Sequence, residues 1–172
     1  MTLERIAHEF APVYDKHSQI LILGSFPSVK SRENQFYYGH PQNRFWKVLA
    51  QIMEKEVPTT IEEKKNFLLD SHIAIWDVIA SCRIEGSSDS SIRDVEVSDF
   101  SKILSEAPIK AIFVNGNKAY ELYKKYAEEK TGIKAIKLSS TSPANAAWNL
   151  ERLCQSWQII KEKLTDFDEN HC

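Results

Sequence analysis

The sequence predicts an α/β domain: a three-layer α/β/α sandwich around a central sheet of four mostly parallel strands. Short apolar runs alternate with segments whose apolar residues recur at helical spacing, which is typical of strand–helix–strand crossovers. Each apolar run also ends in small polar residues. Because parallel strands place their carboxyl ends along one edge, the loops that follow them are expected to line a single crevice.

Length and charge limit the class of protein. The 172 residues suffice for one domain with a full core; we assign residues 1–165 to it and residues 166–172 to a polar C-terminal tail. The formal net charge is −2, so a nucleic-acid partner requires a local basic surface. Such a surface is predicted between residues 24 and 47, where the single acid Glu33 is outnumbered by four cations: Lys30, Arg32, Arg44 and Lys47.

Several other classes are disfavoured. Residues 1–10 are charged and amphipathic, unlike a signal peptide, and no apolar run is long enough to cross a bilayer. The three cysteines, Cys82, Cys154 and Cys172, cannot supply a four-thiolate cluster and lack the C-x-x-C spacing of zinc sites. We therefore expect free thiols in a reducing cytoplasm, no membrane partner, and no metal or organic cofactor.

The N-terminal elements are a short helix, a buried strand and a long loop. The helix is predicted before Pro12 from the helical spacing of four apolar residues: Leu3, Ile6, Ala7 and Phe10. The apolar run 20–23 predicts a buried strand that ends at Gly24. The connection over 25–40 is longer than the usual βα loop of about two to six residues, and its aromatic residues argue for a functional loop rather than a disordered one.

The middle of the chain predicts three helices and a second strand. A helix over 45–52 is expected to begin near Pro41, since proline suits a first helical turn. Thr60 and Glu63 predict a capping box for the next helix, over 61–69. The run 72–79 predicts one strand, followed by a loop over 81–91 rich in serine and aspartate and then by a helix that ends before residue 108.

The last third repeats the alternation of strands and helices. The run 111–114 predicts the third strand, and the helix after it should stop at Gly132. Residues 134–138 predict the fourth strand, which opens into the polar stretch 139–144. A long final helix follows from the spacing of its apolar residues: Leu150, Leu153, Trp157, Ile160 and Leu164.

Common catalytic signatures are missing from the sequence. It lacks the phosphate-binding patterns G-x-x-x-x-G-K-[ST] and G-x-G-x-x-G, the nucleophile motif G-x-S-x-G and the metal motif H-E-x-x-H. The residues alone therefore indicate an α/β ligand-binding protein. One such protein is a flavodoxin-like module that binds a nucleotide or a protein partner without catalysis.

Three short stretches nevertheless resemble a known family. They are Gly24-Ser25-Phe26-Pro27-Ser28, the run Tyr38-x-His40-Pro41-x-Asn43-Arg44-Phe45-Trp46-Lys47, and Ser140-Thr141-Ser142-Pro143-Ala144. The first two are similar to the first motif region of the uracil-DNA glycosylase superfamily, and the third to its second motif. Together with Trp76-Asp77-Val78 they look most like the hypoxanthine-DNA (deoxyinosine) glycosylase branch. The resemblance extends over nearly the whole chain.

The resemblance implies a uracil-DNA glycosylase-like fold and a monomeric enzyme. It would remove deaminated bases, hypoxanthine first, from double-stranded DNA in base excision repair. Because no lysine lies in a motif position for a Schiff base, the enzyme would be monofunctional and leave an abasic site. Uracil or a mismatched thymine is the alternative substrate.

Asn43 is the catalytic residue that the resemblance implies. The mismatch-specific branch holds its attacking water with an asparagine at the position of Phe26 here, so the role passes to Asn43. An amide can orient water and direct its carbonyl dipole at an oxocarbenium-like sugar, but it cannot take a proton as a carboxylate does. The alternative reading of Asn43 is a helix cap.

The remaining site residues fall into two groups that the resemblance implies. The base-binding group is Gly24, Ser25, Phe26, Pro27, Ser28, Tyr38 and His40, with Tyr38 stacking on the extruded base. The DNA-binding group is Ser140, Thr141, Ser142, Pro143, Ala144 and Arg44. The alternative for Ser142 and Pro143 is an ordinary helix start. Asp77 is interpreted as a supporting group behind the site and Asp89 as a turn former.

Overall fold

The computed structural model describes residues 4–8 and 10–169, with side chains as far as residue 164. In this part of the chain the strands are β1 (Arg5–Ala7), β2 (Ile20–Gly24), β3 (Ile73–Asp77), β4 (Ile79–Arg83), β5 (Arg93–Val97), β6 (Ala111–Asn115) and β7 (Ala135–Leu138). The helices are α1 (Val29–Asn34), α2 (Phe45–Ile52), α3 (Ile61–Asp70), α4 (Ser101–Glu106), α5 (Asn117–Tyr126), α6 (Glu128–Thr131) and α7 (Leu150–Glu169).

The predicted central sheet is confirmed. Within the described residues it has four strands in the order β3-β2-β6-β7, and every neighbouring pair is parallel. Alternate residues of β2 point to opposite faces: Ile20 and Ile22 pack with helices α2 and α7, whereas Leu21 and Leu23 pack with α5 and β4. Both faces of the sheet are therefore covered, as buried parallel sheets require.

A second sheet was not predicted. In the described part of the chain it is antiparallel, with the order β1-β4-β5. The predicted strand over 72–79 is in fact two strands, because the chain changes partner at Val78, whose N–H donates to the carbonyl of Gly24. Residues 81–83 and 93–97, one predicted as loop and the other unassigned, belong to β4 and β5. An uninterrupted apolar run gives no sign of such an exchange of partners.

The predicted N-terminal helix is wrong for the residues that can be checked, since Arg5–Ala7 is strand β1; Leu3 lies outside the described residues. The strand pairs with β4 so that Ile6 is opposite Cys82, and Arg5 Nη1 donates to Ser81 Oγ over 2.8 Å. A helix this short is unstable in isolation because nucleation is costly. Pairing with β4 supplies the backbone hydrogen bonds that the segment needs.

The helices also differ from prediction. Helix α2 begins at Phe45 and not near Pro41, which lies in a turn. The long loop after β2 contains helix α1, which the sequence did not predict. Helix α7 reaches Glu169, so residues 166–169 of the predicted tail are helical, and residues 170–172 lie outside the described part. The capping box of Thr60 and Glu63 is confirmed.

The parallel sheet places the ends of its strands side by side. Gly24 of β2 is in register with Asp77 of β3, and Asn115 of β6 is in register with Leu138 of β7. The loops that leave these positions therefore meet at one edge. Among the helices of the described residues, none has the length and apolar character needed to span a membrane.

Candidate active site

A crevice of about 380 Å³ lies at the carboxyl edge of the parallel sheet. It brings together nearly all the site residues predicted from the sequence: Gly24, Ser25, Phe26, Pro27, Ser28, Tyr38, His40, Asn43, Ser140, Thr141, Ser142, Pro143 and Ala144. Arg44 is outside this lining. The convergence follows from topology, because these residues lie in the loops after β2 and β7, whose strands end at the same edge.

Other residues of the crevice wall were predicted in lesser roles or missed. Asp77 and Asp89 both line the crevice, although the sequence suggested a supporting group and a turn former. Asp89 does begin a short 3₁₀ turn, so that interpretation is compatible with its place in the wall. Asn115 was not predicted as a site residue. Its position directly after the apolar run 111–114, like that of Gly24 after the run 20–23, is the signal that would have found it.

The floor of the crevice is a close approach of Gly24, Asp77 and Tyr38. A Cβ atom on Gly24 would lie 2.5 Å from Asp77 Oδ1 and 3.1 Å from the Tyr38 hydroxyl. Both distances are shorter than a normal van der Waals contact, so residue 24 must be glycine for the carboxylate and the phenol to reach this point. Oδ1 of Asp77 thus faces the strand end on which the predicted base-binding loop begins.

His8 joins this floor from the N-terminal strand. Its Nε2 lies 2.7 Å from Asp77 Oδ2, and the two side chains are only 4% and 5% exposed. Aromatic rings surround the imidazole, with ring centroids 4.5 Å away in Phe10 and 5.8 Å away in Tyr37. His8 was not predicted as a site residue, because it is a single histidine in a segment predicted as a helix and no motif marks it.

Tyr38 is held in a constrained position. Its φ of 54° is in the left-handed region, which costs energy for a residue other than glycine. The ring stacks on Phe45 with centroids 3.8 Å apart and an interplanar angle of 13°. Burial raises the pKa of the Tyr38 hydroxyl well above its ordinary value, the charge of Asp77 adds to this, and the side chain of Asn115 opposes it. Tyr38 is therefore an uncharged part of the wall.

Asn43 lines the crevice and also holds the backbone ahead of α2. Its Oδ1 accepts a hydrogen bond of 2.9 Å from the N–H of Phe45, and its own N–H donates to the carbonyl of His40 over 3.0 Å. Asn43 is thus not the N-cap of α2, which is Arg44, but its side chain binds the first N–H of the helix from the residue before the N-cap. An amide oxygen has two lone pairs, so Oδ1 can accept the Phe45 N–H and still hold a water molecule.

Arg44 is tied to the protein interior rather than pointing freely at solvent. Its Nη2 donates to the carbonyls of Ser142 and Asn145 over 2.8 and 3.1 Å, and Nη1 donates to the carbonyl of Trp148. The guanidinium thus fastens the loop after β7 to the start of α2. Direct contact of Arg44 with DNA stays a prediction. In the structure its N–H donors bind backbone carbonyls of the protein itself.

Arg44→Lys is expected to lower the free energy of unfolding by about 1–3 kcal/mol, because a single ammonium cannot span carbonyls that the planar guanidinium reaches together. Chemical denaturation measures this effect. Lys47→Met is the control, since Lys47 is an exposed cation on the same segment. Equal stability of Arg44→Lys and the wild-type protein would show that the loop does not depend on these bonds.

The loop after β7 is fixed by hydrogen bonds to the end of β6. Thr141 is fully buried, and it exchanges two bonds with Asn115: Asn115 Nδ2 donates to Thr141 Oγ1 over 2.9 Å, and the Thr141 N–H donates to Asn115 Oδ1 over 3.1 Å. The alternative in which Pro143 begins the last helix is wrong, because α7 starts only at Leu150. Turns occupy the intervening residues, and Asn149 Oδ1 accepts from the N–H of Arg152 at the helix start.

Asp89 reaches the crevice from the serine-rich loop between β4 and β5. Its Oδ1 accepts a hydrogen bond of 3.1 Å from Ser25 Oγ. Desolvation raises the pKa of the Asp89 carboxyl above its ordinary value; the Ser25 hydrogen bond and the charge of Lys118 lower it, and the charge of Asp77 raises it further. The loop is tied to helix α1 by Arg32 Nη2, which donates to the carbonyl of Gly86 over 2.6 Å.

The predicted basic surface is partly used for internal contacts. Lys30 forms an ion pair of 3.3 Å with Glu33, and Arg32 and Arg44 donate to backbone carbonyls. Two cations that were not predicted as part of this surface, Lys118 and Lys137, line a groove of about 550 Å³. This groove shares Asp89, Asn115 and part of the loop after β7 with the crevice: Ser140, Ser142 and Ala144.

The described residues offer no group of three or more His, Cys, Asp or Glu side chains that could hold a metal ion. The crevice presents groups that can hold and polarise a substrate. It presents a fixed amide at Asn43, a buried carboxylate at Asp77 and an aromatic ring at Tyr38. Such a set can orient water, accept an N–H and bind a flat ring.

Comparison with known proteins gives a consistent result. Residues 11–164 match the family model of the uracil DNA glycosylase superfamily. The chain is 36% identical over 157 residues to a Methanosarcina acetivorans protein named hypoxanthine DNA glycosylase. The matched region covers 90% of this chain and 98% of the relative. A protein of the same name from Methanosarcina barkeri is 37% identical over 114 residues, covering 65% of this chain and 72% of the relative.

The fold is similar to that of a solved structure. A solution NMR structure of a Methanosarcina acetivorans protein, described as a uracil DNA glycosylase candidate, superposes with a TM-score of 0.77. The two chains are 35% identical, and the match covers 91% of this chain and 96% of the other.

Proposed function

Since this chain belongs to the uracil DNA glycosylase superfamily, we propose that it is a DNA glycosylase that hydrolyses the N-glycosidic bond of hypoxanthine in double-stranded DNA. It leaves an abasic site and so begins base excision repair. The observation that carries the proposal is the crevice itself, whose lining combines Asn43, Tyr38 and Asp77. The two relatives named hypoxanthine DNA glycosylase support this choice of base.

Asp77 is proposed to read the polar edge of the base. Hypoxanthine presents an N1–H donor beside the O6 acceptor, and the Asp77 carboxylate at the crevice floor accepts the N1–H. The backbone N–H groups of Ser25 and Phe26 are proposed to donate to O6. Adenine presents an unprotonated N1, whose lone pair would face the carboxylate. Normal adenine is therefore disfavoured in this pocket.

Asn43 is proposed to position the attacking water. The C1′–N9 bonding pair leaves with the base, the water oxygen bonds to C1′, and the proton released from water ends on the base. Asn43 Oδ1 orients the water and stabilises positive charge on the sugar with its dipole. Because an amide cannot take the water proton, departure of the base dominates the barrier, and the chemical step should be slow.

The loop after β7 is proposed to engage the duplex. Pro143 and Ala144 fill the space left when the base is extruded, and the hydroxyls of residues 140–142 contact phosphates. Lys118 and Lys137 in the adjoining groove supply positive charge beside the strand. We propose that the protein acts as a monomer, and in a reducing compartment, as its buried free thiols Cys82 and Cys154 suggest.

Single-turnover excision tests the proposal. Duplexes carry one hypoxanthine, xanthine, uracil or G·T mismatch, and a duplex with adenine in place of hypoxanthine is the control. Hypoxanthine is expected to be released fastest and adenine not at all. If uracil is released faster than hypoxanthine, uracil is the preferred substrate. Absence of release from every duplex would refute the glycosylase function.

A further inference from the structure

We propose that His8 is a positioning residue of the base pocket. Its imidazole holds Asp77 Oδ2, so that Asp77 Oδ1 is fixed where it meets the N1–H of hypoxanthine. This inference rests on the proposed function, because it assigns His8 a role in reading the base that Asp77 contacts. It extends the site to the segment of strand β1, which was not predicted to belong to it.

The first support is the geometry of the carboxylate. One oxygen of Asp77 is bound to His8 Nε2 at 2.7 Å, and the other approaches the Cα of Gly24 closely enough to exclude a side chain there. Asp77 also ends strand β3 in register with Gly24. Strand pairing therefore fixes the backbone of Asp77, and the hydrogen bond from His8 to Oδ2 restricts rotation of the carboxylate.

The second support is how the imidazole uses its hydrogen-bonding groups. Nδ1 of His8 is buried and has no hydrogen-bond partner among residues 4–8 and 10–169. Because a carboxylate oxygen only accepts, Nε2 is the nitrogen that donates to Asp77 Oδ2. The imidazole also packs against the rings of Phe10, Phe26 and Tyr37.

The third support is the strand pairing that places His8 beside Asp77. The match to the family model begins at residue 11, so His8 lies before it. Strand β1 pairs with β4, and the N–H of His8 donates to the carbonyl of Ala80 over 2.7 Å. Only Val78 separates β4 from Asp77 at the end of β3. The exchange of strand partners at Val78 thus brings the N-terminal strand directly to the floor of the pocket.

The consequence concerns base selection. A site built to accept an N–H from its substrate rejects analogues without that donor strongly, because the buried acceptor is then left unpaired. This discrimination requires the acceptor to stay in place. Without the His8 hydrogen bond, Asp77 can rotate away from the base, and the advantage of a substrate with N1–H is lost.

The test compares His8→Phe with His8→Gln. Phenylalanine keeps an aromatic ring in the cluster but removes the donor, whereas the glutamine amide can place an N–H near the position of Nε2. Both variants are assayed under single-turnover conditions on duplexes containing hypoxanthine or 1-methylhypoxanthine, in which a methyl group replaces the N1 hydrogen. Phe10→Leu is the matched control, because it loosens the packing around the imidazole but keeps the Nε2–H donor, and so separates loss of packing from loss of the hydrogen bond.

We expect His8→Phe to slow release of hypoxanthine by about 10- to 100-fold and to leave release of 1-methylhypoxanthine unchanged. His8→Gln should recover most of the rate. Equal losses on both substrates without recovery by glutamine would show that His8 is only structural, and wild-type rates in His8→Phe would also overturn the inference. If the wild-type protein releases no hypoxanthine, the proposed function fails first, which is a separate outcome.

Discussion

Asn43→Ala is expected to slow release of hypoxanthine by about 100- to 1000-fold, because it removes the amide that positions the water and stabilises the sugar cation. The same change removes the acceptor for the Phe45 N–H. The protein should therefore also lose about 1 kcal/mol of stability, as when a helix cap is deleted. Single-turnover kinetics and thermal denaturation measure the two effects separately.

A second asparagine provides the matched control. Asn149 Oδ1 accepts the N–H of Arg152 over 2.8 Å at the start of α7, a bond of the same kind as that of Asn43, and Asn149 is outside the crevice lining. Asn149→Ala should lose similar stability and keep the wild-type rate. If Asn43→Ala behaves in the same way, Asn43 serves the helix and not the reaction.

Gly24→Ala is expected to have a large effect on both stability and rate. The new methyl group would lie 2.5 Å from Asp77 Oδ1 and 3.1 Å from the Tyr38 hydroxyl, and Asp77 cannot move aside without breaking its bond to His8. We expect a loss of about 1–3 kcal/mol from overpacking. A displacement of the carboxylate by about 1 Å should also slow excision by about 100-fold.

The comparison for this variant is Gly132→Ala. Nothing lies within 4 Å of a Cβ atom at Gly132, although its φ of 71° makes alanine unfavourable there too. Gly132→Ala should therefore lose some stability but excise hypoxanthine at the wild-type rate. A Gly24→Ala protein with unchanged melting temperature and rate would mean that the floor of the crevice is not as tightly packed as the distances indicate.

The parallel sheet and its crevice could be predicted because their signals are local. Buried parallel strands need uninterrupted apolar runs, such as 20–23 and 111–114, and polar residues at the end of each run mark the edge where ligands bind. The loop residues that resembled family motifs follow β2 and β7, which are the first and the last strands of this sheet along the chain. Knowing the strand order was therefore not necessary to expect them in one place.

The features that escaped prediction depend on contacts between distant parts of the chain. Val78 and Ile79 are both fully buried, so the apolar pattern continues where the strand changes partner. The Arg44 side chain reaches Ser142, which is 98 residues further on. His8 acquires a partner only because β1 pairs with β4. None of these contacts is visible in the spacing of neighbouring residues.

The most direct test of the account is to identify the product formed from DNA containing hypoxanthine. The wild-type protein is mixed in stoichiometric excess with a duplex carrying one hypoxanthine, and free base and abasic sites are quantified by mass spectrometry. The account predicts free hypoxanthine and abasic sites in equal amounts, with the strand unbroken. Hypoxanthine that remains in the DNA after prolonged incubation would contradict it.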